Sequence, residues 1–267
     1  MAPSAEPTAL LSHLHRTDGS ATFSQNGYTV IGAVNGPIEV QRRDELPEEA
    51  AIDVIVRPAA GVGGTRERHL ESILQSTLRQ IILIHNFPRT LIQVTLQITS
   101  TPENDSAGSK LVQASSEYMM RHRLIVNVQN LAILPALLQT AVLTLLSASM
   151  PLAMTLTSVL IALHSDGKAR TVVKSPTLVQ FQAADSVHVL AFTSQGELLV
   201  AESEGTFTLE DWDEIYKAAK LLCCDDSILA GDSIMQDEGL EEDKEGLMEF
   251  VKSTLEEKVA KDLHWKD

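Results

Sequence analysis

Residues 131–163 contain no charged side chain and no histidine, which limits the possible folds more than any other feature of the sequence. The stretch exceeds the roughly 20 residues that a membrane-spanning helix needs. However, Pro135, Pro151, Gln139 and many serines and threonines interrupt it, and its second half alternates threonine with aliphatic residues as a strand does. We therefore expect a helix followed by a strand, both buried in a protein core, rather than a membrane span.

The charge of the chain is concentrated at its C-terminal end. Of 267 residues, 44% are apolar and only 4% aromatic, which is typical of a globular protein with a largely aliphatic core. The net charge of −15 argues against a protein that binds nucleic acid on its own. Residues 206–267 carry 7 basic and 18 acidic side chains, whereas residues 1–205 carry 14 and 18. The body is therefore nearly balanced and can still present a local basic surface.

The sequence contains no recognisable metal site or catalytic nucleophile. Cys223 and Cys224 are the only cysteines. Two adjacent cysteines cannot cross-link distant parts of a fold and lack the spacing of metal ligands, which is typical of proteins in a reducing compartment. The histidines show no zinc-binding spacing, and no GxSxG motif is present. We also find no secretory signal at the N-terminus. The residues thus predict no catalytic residue, no metal and no cofactor.

Alternating and helical patterns follow one another along the chain and predict an α+β fold with mixed sheets. Residues 1–10, rich in proline and alanine, are expected to be flexible. Strand patterns cover 28–34, ended by the turn signal Asn35-Gly36-Pro37, and then 52–56, 92–98, 154–164, 187–192 and 198–201. Helical patterns cover the stretch from Thr65, a candidate N-cap, to Ile81, and also 131–147, 209–222 and 247–263.

Two local features invite a binding role. Gly61, Gly63 and Gly64 precede a helix, but they lack the Lys-Ser/Thr ending of a P-loop, so we favour turn geometry over a nucleotide site. Four arginines surround the same helix and its exits: Arg66, Arg68, Arg79 and Arg89. Their guanidinium groups could bind RNA phosphates. The alternative is a solvated or subunit-facing surface with Glu67 and Glu71 as ionic partners.

Several segments, in order, resemble the RNase PH family. They are Asp18-Gly19-Ser20-Ala21 with the residues up to Val40, the helix that starts at Arg66-Glu67-Arg68, the turn Pro88-Arg89-Thr90, and the pair 131–164 followed by Ser165-Asp166-Gly167. Together they span most of residues 14–200. The closest likeness within the family is to the ring subunits of the eukaryotic RNA exosome.

The resemblance implies a ribosomal protein S5 domain 2-like fold with two βαβα halves and C-terminal helices. It also implies a ring of RNase PH-like subunits, S1/KH-type cap subunits, associated hydrolytic RNases, and single-stranded RNA threaded through the ring, with no membrane partner. The expected location is the nucleus, nucleolus and cytoplasm. Residues 11–205 would form the RNase PH-like domain and residues 206–267 an acidic helical segment. Arg66, Arg68 and Arg89 become candidate RNA contacts.

The sequence departs from the family's catalytic pattern at two places. Active members carry an arginine-containing phosphate-binding segment, whereas the corresponding residues Asp105–Lys110 contain no arginine. Active members also carry an aspartate where this chain has Ser175, before Pro176-Thr177. Phosphorolysis needs held phosphate and an acid for the leaving oxygen. We therefore expect a non-catalytic subunit.

Residues 111–130 have no counterpart in the family pattern, and we expect them to be an irregular insertion or a gene-model error. Two other functions stay open. One is an active, phosphate-dependent 3′–5′ exoribonuclease, and the other is an unrelated α+β binding domain.

Overall fold

The first sheet has five strands and covers one side of the core. The computed structural model describes residues 6–102, 116–166, 169–224 and 246–264. The strands are β1 Thr8–Leu11, β2 Gly19–Gln25, β3 Tyr28–Glu39, β4 Ala51–Arg57 and β5 Thr90–Ser100. Their order across the sheet is β1-β2-β3-β5-β4, and only β4 and β5 run parallel.

Helix α1, Thr65–Ile81, makes the crossover that a parallel β4–β5 pair requires. Its apolar stripe Leu70, Leu74, Leu78 and Ile81 is buried, as the helical spacing predicts. A short 3₁₀ turn at Ile84–Asn86 then leads into β5. In β3, β4 and β5, buried residues alternate with half-exposed ones, so only one face of this sheet enters the core.

Helix α2, Ser116–Ser147, lies between the two sheets, and every residue from 131 to 145 is buried. Gly19 and Gly32 let strands β2 and β3 approach it closely, since a Cβ at Gly19 would lie 2.5 Å from Cβ of Ala148. The uncharged stretch of the sequence is therefore this central helix followed by a buried strand, as predicted. Among the described residues, no helix combines the length and apolar character needed to cross a bilayer.

The second sheet has four antiparallel strands. They are β6 Leu156–Asp166, β7 Ala169–Lys174, β8 Ser186–Thr193 and β9 Leu198–Gly205, with the short helix α3, Leu178–Ala183, between β7 and β8. Their order across the sheet is β7-β6-β8-β9. Helix α4, Leu209–Cys223, packs on the face opposite α2, so this sheet is covered on both sides. Helix α5, Leu247–Leu263, reaches back to the first sheet, where Phe250 contacts the Phe23 ring edge-to-face at 6.3 Å.

Three predictions about the chain path need correction. Strand β3 does not end at Asn35-Gly36-Pro37. It absorbs this segment in an irregularity of the β3–β5 register between Asn35 and Ile38. Gly36 adopts φ 150° there, and its N–H donates to Oδ2 of Asp18 at 2.8 Å. The expected flexible segment 1–10 is also too long, because residues 8–10 already pair with β2. Residues 1–5 lie outside the described residues.

The third correction concerns residues 111–130, for which we predicted irregular structure. Residues 116–130 are helical and continuous with the rest of α2, while 111–115 lie outside the described residues. The physical reason is that 116–134 contain neither glycine nor proline, so a helix nucleated in the core can propagate through them. The α+β fold class itself is confirmed.

Candidate functional site

Ser175, the residue that replaces an expected acid, lies directly after β7 at a well-defined position. Its backbone is left-handed, with φ 49°, and its N–H donates to the carbonyl oxygen of Leu160 at 3.2 Å. The left-handed conformation lets the chain leave the β6–β7 hairpin and enter α3. The backbone conformation and this hydrogen bond therefore fix the position of Ser175.

A small cavity of about 20 Å³ opens beside Ser175. It is lined by the β2–β3 turn, by one side of α2 and by β6: Gln25, Asn26, Tyr28, Ala132, Pro135, Ala136, Val159, Leu160 and Ser175. None of these lining residues is charged. The volume holds about one water molecule. A phosphate ion does not fit in that volume, and the described lining residues offer it no cationic partner.

The β2–β3 turn beside this cavity was missed in the sequence analysis. Asn26 and Gly27 have φ values of 53° and 82°, which is the geometry of a two-residue type I′ hairpin. The Asn-Gly dipeptide between Gln25 and Tyr28 is the usual signal for such a turn. The other half of the expected phosphate-binding site, Asp105–Lys110, lies outside the described residues.

The N-terminus of α1 is capped by its own carboxylate. Gly64 is the N-cap, not Thr65 as predicted, and its N–H donates to Oε2 of Glu67 at 2.6 Å. A helix N-terminus attracts anions because unpaired N–H groups and the helix dipole face outward. Glu67 already supplies that negative charge, which supports turn geometry over a nucleotide site for Gly61, Gly63 and Gly64.

Arg66 and Arg68 lie in the first turn of α1, next to the end of β4 at Arg57. The side chain of Arg68 is exposed, and that of Arg66 is half-buried. The acidic residues expected as their partners bind backbone groups: besides Glu67, Glu71 accepts the N–H of Val56 through Oε1 at 2.9 Å. At this end of α1, the exposed side chain of Arg68 faces solvent.

Arg89 lies beyond the opposite end of α1. A 17-residue helix is about 25 Å long, so the structure does not bring Arg89 together with Arg66 and Arg68. Its Nε lies 3.4 Å from Oε1 of Glu45, and its backbone N–H donates to the carbonyl oxygen of Leu46 at 3.1 Å. The side chain remains 68% exposed, but its contacts also serve to hold the loop before β4. Whether it touches RNA stays a prediction.

The second sheet contains an ion pair that the sequence analysis did not identify. Arg170 of β7 donates to Oδ2 of Asp211 in the first turn of α4. The same carboxylate accepts the N–H of Thr208 at 2.7 Å and thereby caps α4. The hydrogen bonds from Arg170 and Thr208 lower the pKa of Asp211 to about 2. The ion pair between Arg170 and Asp211 joins β7 to α4, and its role is structural.

His188 is the one histidine of β8, and it is fully buried. Its Nε2 lies 2.9 Å from Oγ of Ser186, its Nδ1 lies 2.8 Å from Oγ of Ser203, and its ring contacts the edges of Phe207 and Trp212. Burial lowers its pKa to about 4. Both nitrogens are occupied by hydroxyl groups, so His188 is placed to hold β8, β9 and α4 together.

Within the described ranges, no three histidine, cysteine or acidic side chains converge as metal ligands. Cys223 and Cys224 are buried at the end of α4 and are not joined in a disulfide, and burial raises the pKa of the Cys223 thiol to about 12. A thiol with that pKa is a poor nucleophile near neutral pH.

Comparison with known proteins supports the family suggested by the sequence. Residues 8–165 match the model of the RNase PH family, described as the 3′ exoribonuclease family, domain 1. The exosome complex component RRP46 of Saccharomyces cerevisiae is 34% identical over 200 residues, which cover 73% of this chain and 79% of that protein. The protein of that name from Schizosaccharomyces pombe is 40% identical over 96 residues, or 36% of this chain and 42% of its own length.

The fold has a solved counterpart. The crystal structure of rice (Oryza sativa) Rrp46 superposes with a TM-score of 0.61 at 24% identity, covering 79% of this chain and 86% of that one. The family model matches more than half of the residues and agrees with this superposition. The chain belongs to the RNase PH family of 3′ exoribonucleases.

Proposed function

We propose that the chain is a non-catalytic subunit of the RNA exosome core ring, where it supports 3′–5′ RNA processing and degradation, including rRNA processing and mRNA decay. Two yeast relatives that are 34% and 40% identical over their matched regions bear the name exosome complex component. A closed ring needs a complementary surface at every position, so a subunit without activity is still required. The chain would shape the RNA channel and hold its neighbours.

The observation that carries the non-catalytic part is the environment of Ser175. A hydroxyl group with an ordinary pKa far above neutrality cannot replace a carboxyl group as the acid of a phosphorolytic step. The cavity beside it measures about 20 Å³, and the lining residues that the structure describes carry no charge. These features support the proposal that no proton donor serves the leaving-group oxygen at this position.

Phosphorolysis by the purified chain tests this directly. We expect no phosphate-dependent shortening of a labelled single-stranded RNA, and no gain in activity when phosphate is added. An active RNase PH enzyme assayed in parallel is the positive control. Phosphate-dependent release of nucleoside diphosphates by this chain would overturn the non-catalytic assignment.

Such a result would favour the alternative, an active phosphate-dependent 3′–5′ exoribonuclease. That alternative has some support, since the relatives from Oryza sativa and Arabidopsis thaliana are named exosome complex exonuclease RRP46 homologs at 39% and 36% identity. If the variant Ser175→Ala then kept the activity, the acid would have to come from another residue.

Arg66, Arg68 and Arg89 are the proposed RNA contacts. Contact would be sequence-independent and salt-sensitive, because guanidinium groups bind phosphate by charge and hydrogen bonds. We expect Arg66→Ala with Arg68→Ala to weaken RNA crosslinking in the assembled ring more than Arg89→Ala does, because the double variant removes two guanidinium groups from one end of α1. Arg79→Ala is a matched control, because Arg79 pairs with Glu49 at the other end of α1. Unchanged crosslinking in the double variant would remove these residues from the RNA path.

The proposed partners are other RNase PH-like ring subunits, S1/KH-type cap subunits, hydrolytic RNases and single-stranded RNA in the channel. The proposed location is the nucleus, nucleolus and cytoplasm. Purification of the tagged chain from its own cells, followed by mass spectrometry, tests the partners. Recovery of RNase PH-like and S1/KH-type proteins supports the ring, and their absence would leave the family assignment intact but contradict the assembly. Imaging of the same tagged chain tests the location.

A further inference from the structure

Strand β9 forms one edge of the second sheet. Among the described residues, it pairs only with β8, and no strand lies beyond it. Ala201, Ser203 and Gly205 are exposed along this edge. An edge strand with free N–H and C=O groups is a template for pairing with another extended chain.

The backbone groups of alternate residues on this edge point away from β8. The N–H of Thr206 donates to the carbonyl oxygen of Asp185 at 3.2 Å, which fixes that pair as hydrogen-bonded. In an antiparallel ladder such pairs alternate with pairs that are not hydrogen-bonded. In the β8–β9 register, Ala201 lies opposite Leu190 and Ser203 lies opposite His188. Both pairs are an odd number of positions from the hydrogen-bonded pair of Asp185 and Thr206, so neither of them is hydrogen-bonded. Their N–H and C=O groups are therefore available to a further strand.

The two faces of this edge differ in chemistry. On the face that carries α4, Ala201 is accompanied by Leu198 and Phe207, which are 37% and 41% exposed. We call these three residues the apolar shelf. Phe207 is held in place by the rings of His188 and Trp212.

The opposite face of β9 is acidic. Glu202 and Glu204 alternate with Ala201 and Ser203, so their side chains lie on the side away from α4. A chain that pairs with β9 would thus meet apolar side chains on one face and carboxylates on the other.

We propose that β9 binds an extended segment of a protein partner in which apolar and basic side chains alternate. The partner's backbone would pair with Ala201 and Ser203, its apolar side chains would cover the apolar shelf, and a lysine or arginine of the partner would lie beside Glu202. RNA does not suit an acidic edge. A second copy of β9 would place like charges opposite each other, and this chain's own residues 225–245 carry nine acidic side chains and one lysine. This binding mode is independent of exosome membership.

The test uses a short fluorescent peptide that alternates valine and lysine, and a matched peptide in which glutamate replaces lysine. Fluorescence anisotropy with the full-length protein should show binding of the lysine peptide, and roughly tenfold weaker or no binding of the glutamate peptide. Equal affinity for both peptides would overturn the charge argument. Binding of neither peptide would overturn the proposal as a whole.

Two substitutions separate backbone pairing from charge. Ala201→Pro removes an outward N–H without disturbing the β8–β9 hydrogen bonds, so it should weaken binding of the lysine peptide roughly tenfold. Ala201→Thr keeps the N–H and should bind this peptide nearly as well as the unmodified protein does. Glu202→Lys should weaken binding of the lysine peptide roughly two- to fivefold. Glu197→Lys, the same charge change in the β8–β9 turn, should have a smaller effect on that binding.

The fold of each variant is checked by its thermal unfolding. If Ala201→Pro does not fold, the comparison of Glu202→Lys with Glu197→Lys still decides. Equal effects of these two would indicate non-specific attraction to an acidic protein and overturn the proposal. Tight binding of RNA or self-association through β9, lost in Ala201→Pro, would also contradict it.

Discussion

The two sheets of this protein are built from similar strands but are covered differently. In the first sheet, helices pack on one face, and β5 alternates buried and half-exposed residues. In the second sheet, α2 covers one face and α4 the other, and all eight residues of β8 are buried. A strand covered on both sides loses the alternation that identifies half-buried strands.

The side chains of β8 are divided between two hydrophobic cores, one on each face of the sheet. Val187 and Val189 belong to the core shared with α2, while Leu190 and Phe192 belong to the core under α4. Any substitution in β8 therefore disturbs a packed core. In β5, half of the positions can change without doing so, and this difference can be measured.

The largest expected effect is in the second sheet. Phe192 is fully buried and contacts the Tyr216 ring edge-to-face at 5.4 Å. Phe192→Ala should lower the free energy of unfolding by about 3–5 kcal/mol, because it leaves a cavity between β8 and α4. Urea denaturation measures this. A loss below about 1 kcal/mol would show that α4 does not seal this face.

The second-largest loss of stability is expected at Gly32, where the first sheet approaches α2 closely. A Cβ at Gly32 would collide with Oγ1 of Thr144, so Gly32→Ala should cost about 1–3 kcal/mol of stability. In a Thr144→Ala background the same substitution should cost less, because the colliding hydroxyl is gone. Equal costs in both backgrounds would mean that the contact with Thr144 is not what requires glycine.

His188 should make the second sheet sensitive to acid. Its folded pKa of about 4 lies below the ordinary value of 6.5, so the unfolded chain binds its proton first. The stability is therefore complete above about pH 6.5 and falls as the pH drops toward 4. We expect His188→Gln to flatten this part of the profile of melting temperature against pH, whereas His85→Gln, at an exposed position, should leave it unchanged. A profile in His188→Gln identical to that of the unmodified chain would contradict the prediction.

The smallest effect is expected on the uncovered face of the first sheet. Thr95 is half-exposed, between Ala33 and Ile55 in the register, so Thr95→Ala should change stability by no more than about 0.5 kcal/mol. Its neighbour Leu96 is fully buried, and Leu96→Ala should cost about 2–5 kcal/mol. Similar losses in the two variants would mean that both faces of this sheet are covered in solution.

The same contrast explains which parts of the fold could be predicted from the sequence. The alternation of β5 and the stripe of α1 were found because each has one exposed side. Strand β7 and helix α3 were missed because they are short, and the N-terminal extension of α2 because its residues show no clear period. The passage of β3 through Asn35-Gly36-Pro37 depends on pairing with β5, which local turn signals do not contain.

The site was predictable only in part. The resemblance located Ser175, but its left-handed backbone and the small uncharged cavity depend on how β2, α2 and β6 meet. The arginines were predicted as one group, yet α1 holds Arg66 and Arg89 at opposite ends. The pairing of Arg89 with Glu45 and the bridge between Arg170 and Asp211 join residues 44 and 41 positions apart, which no sequence pattern indicated.

The position of α2 in the middle of the chain also has a consequence for folding during synthesis. Strands β1 to β5 leave the ribosome before α2 does, and the buried residues of β2 and β3 pack against α2. At synthesis rates of about 5–20 residues per second, these strands would wait several seconds before residues 131–145 follow them. During that interval their apolar face is exposed, so a nascent chain that stops before α2 should be a substrate for chaperones.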